Sequence, residues 1–585
     1  MNLNREFIEV DVFVAGGGFG GTAAALAAAQ GGCRVVVAEP NEWIGGQITA
    51  QGVSCLDEHG YIEKSGGTRL YYELRERIRQ YYRDNCKLSA KALDTEHLNP
   101  GGGWVSALCF EPRVGLAVLQ QMLEPYTSRG QVVVYTRTVV ETVGRDGERI
   151  SLIALRNTAT GETALVRAKV VLDATELGDL MPLANIPYNT GMESFAQTGE
   201  PSAPPFADRE VVQSFTYPFA VEFCPGENHV IAKPDRYEEN RQRYSFRGYK
   251  MFGTDTPFGQ SFWTYRRIIA AENFDDERYP NDVALINWHS NDYDGGNIID
   301  ADPRTAAQRH HEAKLLSLGF LYWLQTEAPR DDGGYGYPEL KLRPDILGTE
   351  DGLSQYPYIR ESRRLQALVQ VREEDVVVRY NPGPRARLWP DAVGIGLYYY
   401  IDVHSCCNSK LRQGSGQRVR PFQIPLRSMV TANAPNFVAA AKNIGTTHIT
   451  NGTFRLHPVE WNIGESAGAL AAYAVANNVD PVGVAMKEEH LRRYQLYLAK
   501  RGVPLIWFTD LHPNDEAFTA VNYLGVLRII DEPELEFRAD AVIDEATAKR
   551  WSANAKCEVP FDQSTTRKEY AQRLHAALLA KESEG

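Results

Sequence analysis

A cluster of glycines near the start of the chain has the spacing of a phosphate-binding loop. Gly16, Gly18 and Gly21 satisfy G-x-G-x-x-G, and the same loop contains Phe19 and Gly20. The first glycine lets the chain turn, the second lets backbone N–H groups approach a diphosphate, and the third lets a helix pack on the preceding strand. The pattern therefore predicts a dinucleotide diphosphate at the positive end of a helix.

The segments around this loop supply the context that a lone glycine motif lacks. Phe7 to Val14 has the apolar pattern of a buried strand, and the alanine-rich run Thr22 to Gln30 favours a helix. Cys33 to Ala38 is a second strand-like run, and it ends at Glu39, about 20 residues beyond the glycines. An acid at this point accepts hydrogen bonds from ribose hydroxyls, and its charge repels a 2′-phosphate.

The residues after this acid resemble those of a flavoprotein family. Ile44 to Thr49 is similar to the IGGQ-x-T motif of FAD-dependent oxidoreductases in the glutathione-reductase-2 superfamily, and Asp57 to Gly60 matches the family's DEHG. Val170 to Asp179 resembles the family's DAT-x-x-GD strand end. Asn436 to Asn477 resembles its later strand, polar turn and helix. The resemblance covers about residues 8–185 and 340–480.

The resemblance implies that FAD is the cofactor, and it implies which residues contact FAD. The start of a β-meander would face the adenine, and the later helix would direct its N-terminus at the pyrimidine edge of the flavin. Unpaired N–H groups there stabilise the negative charge of the reduced ring. The implied contacts are Gly16, Gly18, Phe19, Gly20, Gly21, Glu39, Pro40, Gly45, Gly46, Gln47, Thr49, Val139, Thr175, Asp179, Asn443, Glu460, Asn462 and Ile463.

The order of the elements predicts an α/β fold. We expect a Rossmann-like FAD-binding domain (a mostly parallel sheet plus a β-meander), an inserted α+β substrate domain and a helical C-terminal appendage. The meander strands are expected at Gln131 to Thr142, Arg149 to Asn157 and Glu162 to Val166. The expected divisions are 1–188 for the first part of the FAD-binding domain, 189–335 for the substrate or cap domain, 336–480 for the remainder of both, and 481–585 for the appendage.

Three histidines and two arginines are candidates for chemistry on the substrate. His457, His404 and His448 are candidate bases, because a histidine titrates near neutral pH. Arg360 and Arg455 would position or neutralise the substrate, and Arg360 has the bidentate geometry to clamp an anionic one. The alternative for Arg360 is a structural ion-pair network that joins domains.

Two further polar segments have both a functional and a structural interpretation. Asp402 and His404 would face the same side of a strand, where the acid could orient the base. The alternative is a histidine whose hydrogen bonds are satisfied in the core. The segment Asn287 to Tyr293 is a polar and aromatic loop, and a well-hydrogen-bonded turn is the favoured interpretation.

These features predict an enzyme that transfers a hydride between a small organic substrate and flavin N5. A second G-x-G-x-x-G for a nicotinamide does not occur, so we expect the substrate to reduce the flavin directly, with the electron acceptor unknown. The alternatives are a flavin monooxygenase or reductase that needs an external electron donor, and a non-catalytic flavin-binding protein. Gly464 to Gly468 also matches the G-x-S-x-G of hydrolases, but the strand that must precede the serine is missing.

Composition excludes several other classes. The formal net charge is −13, so nucleic acid is not an expected partner, and no apolar run is long enough for membrane insertion. The eight cysteines are sparse, which argues against a disulfide scaffold and a zinc site, and we expect no metal. Cys406 and Cys407 are interpreted as ordinary reduced thiols. A cytoplasmic location is the expectation, and an oligomer is possible.

Overall fold

A computed structural model describes residues 7–407, 409 and 414–584. Its strands are β1 (Phe7–Ala15), β2 (Val35–Glu39), β3 (Val132–Thr136), β4 (Thr138–Asp146), β5 (Arg149–Asn157), β6 (Thr163–Asp173), β7 (Tyr188–Asn189), β8 (Phe215–Thr216), β9 (Phe219–Phe223), β10 (Arg267–Ile269), β11 (Val283–Ile286), β12 (Asp292–Tyr293), β13 (Leu340–Leu342), β14 (Arg364–Leu365), β15 (Ala392–Gly396), β16 (Phe422–Pro425) and β17 (Phe437–Ala439). Its helices are α1 (Phe19–Gln30), α2 (Arg69–Asn85), α3 (Ala90–Leu93), α4 (Pro112–Thr127), α5 (Leu180–Leu183), α6 (Phe195–Thr198), α7 (Tyr237–Asn240), α8 (Pro303–Thr326), α9 (Pro344–Leu347), α10 (His448–Phe454), α11 (His457–Asn477), α12 (Pro481–Met486), α13 (Glu488–Lys500), α14 (Phe518–Val526), α15 (Glu545–Ala555) and α16 (Arg567–Glu584).

The main sheet has the arrangement of a dinucleotide-binding domain. Its strand order is β3-β2-β1-β6-β5-β4, and β17 also pairs with β6. Strands β3, β2, β1, β6 and β17 run parallel, whereas β5 and β4 are antiparallel to their neighbours. The long strand β6 has different neighbours along its length: Val166 pairs with β5, and Val171 pairs with β17. The predicted α/β fold with a parallel sheet and a meander is confirmed.

Several boundaries expected for these strands and helices were wrong. The expected strand 131–142 is two strands, because Arg137 takes a left-handed φ of +52° and turns the chain between β3 and β4. The expected strand 162–166 continues to Asp173 as the single strand β6, since the alternating pattern passes directly into a fully buried run. The first helix begins at Phe19, three residues before the alanine run.

Helices α1 and α11 pack against each other at very close range. A Cβ atom at Gly464 would lie 2.0 Å from the carbonyl oxygen of Gly20, and one at Gly468 would lie 2.0 Å from that of Ala24. Glycine at these positions therefore lets the two backbones touch. Pro458 occupies the first turn of α11, where its missing N–H costs nothing.

The inserted region builds a second sheet with its own core. Its four strands have the order β10-β11-β9-β13, and all three pairs are antiparallel. Aromatic side chains such as Trp263 and Phe320 fill the space between this sheet and α8. Two short strands, β8 and β9, follow each other here instead of one continuous strand, because Pro218 between them lacks the N–H that a continuous ladder needs. The region is α+β, as expected.

The C-terminal region is helical and has a third apolar cluster around Trp551 and Tyr570. It contacts α11, because the Tyr494 hydroxyl of α13 donates to the carbonyl of Ser466 at 2.6 Å. Across the described residues, none of the helices combines the length and the apolar character that crossing a membrane requires.

Candidate active site

The glycine loop lies between β1 and α1, as the motif requires. Gly16 has φ +85°, and a Cβ there would lie 2.4 Å from the carbonyl oxygen of Ala174. Gly21 lies against the backbone of Gly16, where a Cβ would approach the carbonyl oxygen to 2.0 Å. The first and third glycines are thus explained by backbone conformation and by helix–strand packing.

Glu39 at the end of β2 is held beside this loop. Its carboxylate accepts hydrogen bonds from the backbone N–H of Gly17 at 2.7 Å and from that of Asn41 at 2.8 Å. Burial raises the pKa of Glu39 to about 7, against the lowering effect of these donors. The side chain therefore offers an acceptor at the point where the fingerprint places a ribose. Pro40, the next residue, is exposed.

A second loop, which contains Gly45 and Gly46, lies opposite the glycine loop. The backbones of the two loops surround the Glu176 side chain, and we call this space the cradle. A Cβ at Gly18 or at Gly46 would come within 2.6 or 2.7 Å of the Glu176 Oε1 atom. That oxygen is buried and has no hydrogen-bond partner. Buried Lys442 pairs with the other oxygen of Glu176 and lies 3.4 Å from Glu460. Narrow backbone walls, the N-terminus of α1 and a buried ammonium group fit a diphosphate.

The second loop also contacts the N-terminus of α11. The Gln47 amide donates to the carbonyl of Arg455 at 3.2 Å and to the carboxylate of Glu460. Glu460 accepts from the N–H of Gly20 at 3.4 Å. Two loops near the start of the chain and a helix more than 400 residues later therefore meet at one place. Gly45 has φ +98°, which places the loop in this conformation.

Several other residues expected to contact FAD are engaged within the protein. The Thr49 hydroxyl donates to Ile44 O in its own loop at 2.5 Å. The Thr175 hydroxyl donates to the Asp173 carboxylate at 2.7 Å within the turn that ends β6. The Asn443 amide donates to the Asp173 carbonyl at 3.0 Å and ties the end of β6 to the turn after β17. Asp179 pairs with Arg363 at 2.9 Å.

The remaining expected contacts lie on β4 and α11. Val139 pairs with Arg156 of β5. It lies two residues after Arg137, whose backbone N–H donates to the carbonyl of Asn41, close to Glu39. Asn462 accepts from the N–H of Ile395 in β15 at 3.0 Å, so its side chain faces away from the glycine loop. Ile463 is fully buried in α11.

A small charged cavity of about 40 Å³ lies next to this cradle. Its walls come from residues 265–289 of the inserted region and from residues 57 and 358–455, and the Arg455 carbonyl accepts from Gln47 of the cradle. The lining residues are Asp57, Tyr265, Arg266, Asn287, Trp288, His289, Tyr358, Arg360, Tyr398, Asp402, His404 and Arg455.

Each of the three arginines in the cavity is paired with an aspartate. Arg266 contacts Asp57 at 2.9 Å and Arg455 contacts Asp402 at 2.9 Å. The third pair is Arg360 with Asp292, at 2.8 Å, and both side chains are almost fully buried. The clamp expected of Arg360 for an anionic substrate is therefore occupied by a carboxylate of the protein itself.

His404 is the expected base that lies in this cavity, and two carboxylates hold it. Its Nδ1 is 2.8 Å from Asp292 and its Nε2 is 3.2 Å from Asp402. Burial alone would raise the pKa of Asp292, but the charge of Arg360 and the hydrogen bond with His404 hold it well below its usual range. Burial would likewise raise the pKa of Asp402, but the contact with His404 and the charge of Arg455 keep it low. Both partners of the imidazole are thus ionised.

The expected strand through Asp402 and His404 is absent, because the described residues 397–405 form irregular chain. The two side chains meet nonetheless. His289, Asp292 and His404 also place possible ligand atoms within 4.8 Å of one another. Asp292 is already paired with Arg360, and the positive charges of the other guanidinium groups in the cavity disfavour binding of a divalent cation.

The other two candidate bases, His457 and His448, lie outside the cavity, and their ring nitrogens contact other groups of the protein. His457 accepts from the N–H of Asp57 at 2.9 Å and lies 3.1 Å from the carbonyl of Val53. Burial lowers the pKa of His457 to about 4. His448 pairs with Glu361 at 2.9 Å and has Cys406 3.7 Å from its other nitrogen. These contacts are all within the protein, and neither imidazole lines the cavity.

Sequence reasoning missed three charged residues of this site. Asp57 lies within the DEHG segment, and Asp292 lies within the polar loop that was interpreted as a turn, so both had a signal that was undervalued. Arg266 had none, because it lies between Tyr265 and Arg267 in a segment without a motif. The hydrolase interpretation fails, since Ser466 is in the middle of α11 and donates to the carbonyl of Val393.

One comparison with known families finds a match over most of the chain. The family model described as FAD dependent oxidoreductase matches residues 11–493. No curated protein matches the sequence. Among solved structures, L-proline dehydrogenase from P. horikoshii is 16% identical over 32% of this chain and 25% of its own, with a TM-score of 0.17. The glycerol-3-phosphate dehydrogenase from Bacillus halodurans, complexed with FAD, is 14% identical over 37% and 40%, with a TM-score of 0.22.

A third solved structure aligns over nearly its full length. The p-nitrophenol 4-monooxygenase PnpA from Pseudomonas putida DLL-E4 is 11% identical over 99% of this chain and 98% of its own, with a TM-score of 0.33. The chain spans only 25% and 40% of the two dehydrogenases. Because all three TM-scores are low, only the family match bears on function.

Proposed function

This chain belongs to the family of FAD dependent oxidoreductases, and from that premise we propose that it oxidises a small organic substrate by hydride transfer to the flavin, with His404 as the base. The observation that carries the proposal is the position of His404 on the wall of a cavity that adjoins the cofactor cradle. When bound, FAD supplies the acceptor for the hydride.

The cradle residues divide the work of holding FAD. Glu39 would accept from the ribose, the loop of Gly16 to Gly21 and buried Lys442 would bind the diphosphate, and Gln47 with the start of α11 would lie at the flavin. This assignment is supported by the unpartnered oxygen of Glu176, which occupies a backbone cradle that a phosphate oxygen would also fit.

His404 is arranged to take up a proton. If Nδ1–H donates to Asp292, the lone pair of Nε2 faces Asp402 and the cavity. A proton accepted at Nε2 converts the ring to an imidazolium between two ionised carboxylates, which stabilise its charge. Asp292 fixes the ring orientation, and Arg360 keeps Asp292 ionised. These residues therefore combine a base with the charge that its product needs.

The test is anaerobic mixing of the FAD-loaded protein with alcohols, hydroxy acids, amines and amino acids, with flavin bleaching as the readout. We expect at least one class to bleach the flavin, and His404→Gln to slow that reduction by about 10²–10⁴-fold while FAD stays bound. His311→Gln is the matched control, because His311 is exposed on α8 in the cap. It should reduce at the rate of the unchanged protein.

Two outcomes would contradict the proposal. Failure of every compound to bleach a fully occupied flavin would favour a non-catalytic flavin protein. Incorporation of labelled oxygen from O₂ into a product, with an external reductant required, would favour a monooxygenase.

A further inference from the structure

The walls of the charged cavity have no aliphatic side chain. The twelve lining residues are charged, amide-bearing, imidazole or aromatic, and the aromatic ones are Tyr265, Trp288, Tyr358 and Tyr398. A hydrocarbon group in this cavity would strip water from ionised groups without replacing their hydrogen bonds. The substrate must therefore be polar over most of its surface.

The charges of the cavity cancel. Each of the three guanidinium groups on the wall pairs with a carboxylate: Arg266 with Asp57 and Arg455 with Asp402, which also line the cavity, and Arg360 with Asp292, which is buried behind the wall. Burial lowers the pKa of His289 to about 4, so this histidine adds no charge at neutral pH. An anionic substrate would have to separate a guanidinium from its own aspartate, and a cationic substrate would have to separate an aspartate from its guanidinium.

Hydroxyl groups fit this arrangement without breaking a pair. One hydroxyl donates to a carboxylate and accepts from a guanidinium at the same time. The Asp402 side chain is 34% exposed and Arg455 beside it is buried, so this pair presents both an acceptor and a donor at the cavity. Arg360 also reaches towards Asn287, 3.4 Å away, which adds an amide to the donors and acceptors of the wall.

The aromatic side chains and the volume limit the shape of the substrate. Tyr265 and Trp288 pack edge to face with ring centroids 5.3 Å apart, and both line the cavity. Such rings cover the C–H faces of a ring or chain whose hydroxyls point at the charged pairs. A volume of about 40 Å³ holds only a few water-sized groups, so one end of a molecule enters.

We propose that the substrate is a neutral polyhydroxylated compound, a sugar or a polyol, that is oxidised at one carbinol carbon held between His404 and the flavin. This inference rests on the proposed function. The oxidation breaks one C–H and one O–H bond and forms a C=O bond. The hydride carries both electrons to the bound FAD, and the hydroxyl proton goes to His404, so atoms and charge balance.

The experiment compares matched compounds that differ in charge. Alditols and sugars are paired with the corresponding aldonic acids and with amino sugars, and the rate constant of flavin reduction divided by Kd is measured anaerobically for each. We expect the neutral member of each pair to exceed both charged members by at least about tenfold. Sugars and open-chain polyols form separate arms of the panel and identify the source of the hydroxyls.

The outcomes separate this inference from the proposed function. If a hydroxy acid or an amine reduces the flavin faster than its neutral partner, the substrate class is wrong and the oxidoreductase proposal stands. If no compound of any class reduces the flavin, both fall. If polyols reduce the flavin and His404→Gln has no effect, the substrate class stands and the base is misassigned.

Two variants test the role of charge balance directly. Asp402→Asn leaves Arg455 without its carboxylate, and Asp57→Asn leaves Arg266 without its own. In each variant the preference for the neutral compound over its acid should fall by about tenfold, because the cavity gains a positive charge. The ratio is the readout, so a loss of rate common to both compounds cancels. Glu350→Gln, which removes an exposed carboxylate, should leave the ratio unchanged. An unchanged ratio in both cavity variants would overturn the inference.

Discussion

His404 and His448 both lie beside carboxylates, but their surroundings differ. His404 has an aspartate at each nitrogen and lies on the wall of a cavity. His448 is fully buried at the start of α10 and pairs with Glu361. Burial alone would lower the pKa of His448, but Glu361 raises it to about 10. The buried pair is a structural link between α10 and the segment that carries Arg360.

This pair predicts a specific pH dependence of stability. The pKa of His448 rises on folding from 6.5 to about 10, so its contribution is complete below pH 6.5 and is lost as the pH rises towards 10. The difference in unfolding free energy between the unchanged protein and His448→Gln should therefore shrink by about 4 kcal/mol over that window, because one pKa unit corresponds to about 1.4 kcal/mol. Denaturant titrations at several pH values measure it. A difference that is constant with pH, or the same trend in the exposed control His311→Gln, would contradict the pairing.

At the scale of elements, the contact between α1 and α11 positions the site. Glycines at 464 and 468 let the two helix backbones touch, and this contact carries the N-terminus of α11 to the glycine loop. The helix begins with His457, whose hydrogen bonds to the backbone of residues 53 and 57 orient the first turn. The role of His457 is therefore positioning within the protein.

The close contact predicts a large effect from a single methyl group. In Gly468→Ala, the new Cβ would lie 2.0 Å from the carbonyl oxygen of Ala24, so the helices must separate. We expect a loss of about 1–3 kcal/mol in unfolding free energy, measured by chemical denaturation. Gly383→Ala is the control, since no atom lies within 4 Å of its Cβ. Equal stability of the two variants would show that the helices are further apart than described.

At the scale of the whole molecule, the site is assembled from distant parts of the chain. The cofactor cradle uses loops near the start and residues 442–460, and the charged cavity adds walls from the cap. We propose that the chain divides near residues 188, 335 and 480 into the two halves of the FAD-binding domain, the cap and the C-terminal region. With this division, bound FAD would contact two segments that are separated in the sequence by the whole cap.

Cofactor binding should therefore stabilise the whole fold. FAD added to the cofactor-free protein at 100 times its Kd should contribute about 2.7 kcal/mol and raise Tm measurably. Gly18→Val should abolish this shift, because its side chain would fill the backbone cradle. The free protein should tolerate the change, since the contacted atom is the end of the flexible Glu176 side chain. Gly383→Val, in open space, should keep the shift. A normal FAD-dependent shift in Gly18→Val would refute the cradle.

The FAD-binding fold and its cofactor could be predicted from the sequence because their signals are local. A turn that needs φ +85° at Gly16, an alanine-rich helix and an acid at the end of β2 all lie within one short segment. Strand boundaries were less predictable. Arg137 breaks a run that alternates like a single strand, and its left-handed conformation has no signature in the residue type.

The cavity was decided by the tertiary structure. The sequence pointed to Arg360, Arg455 and His404 individually, but an ion pair depends on which side chains the fold brings together. Asp292 lies in the inserted region and contacts both Arg360 and His404. Its charge neutralises the guanidinium that was expected to bind an anion, and its contact with His404 fixes the orientation of the imidazole. Charge in a buried cavity is a sum over neighbours in space, and spacing along the chain does not report that sum.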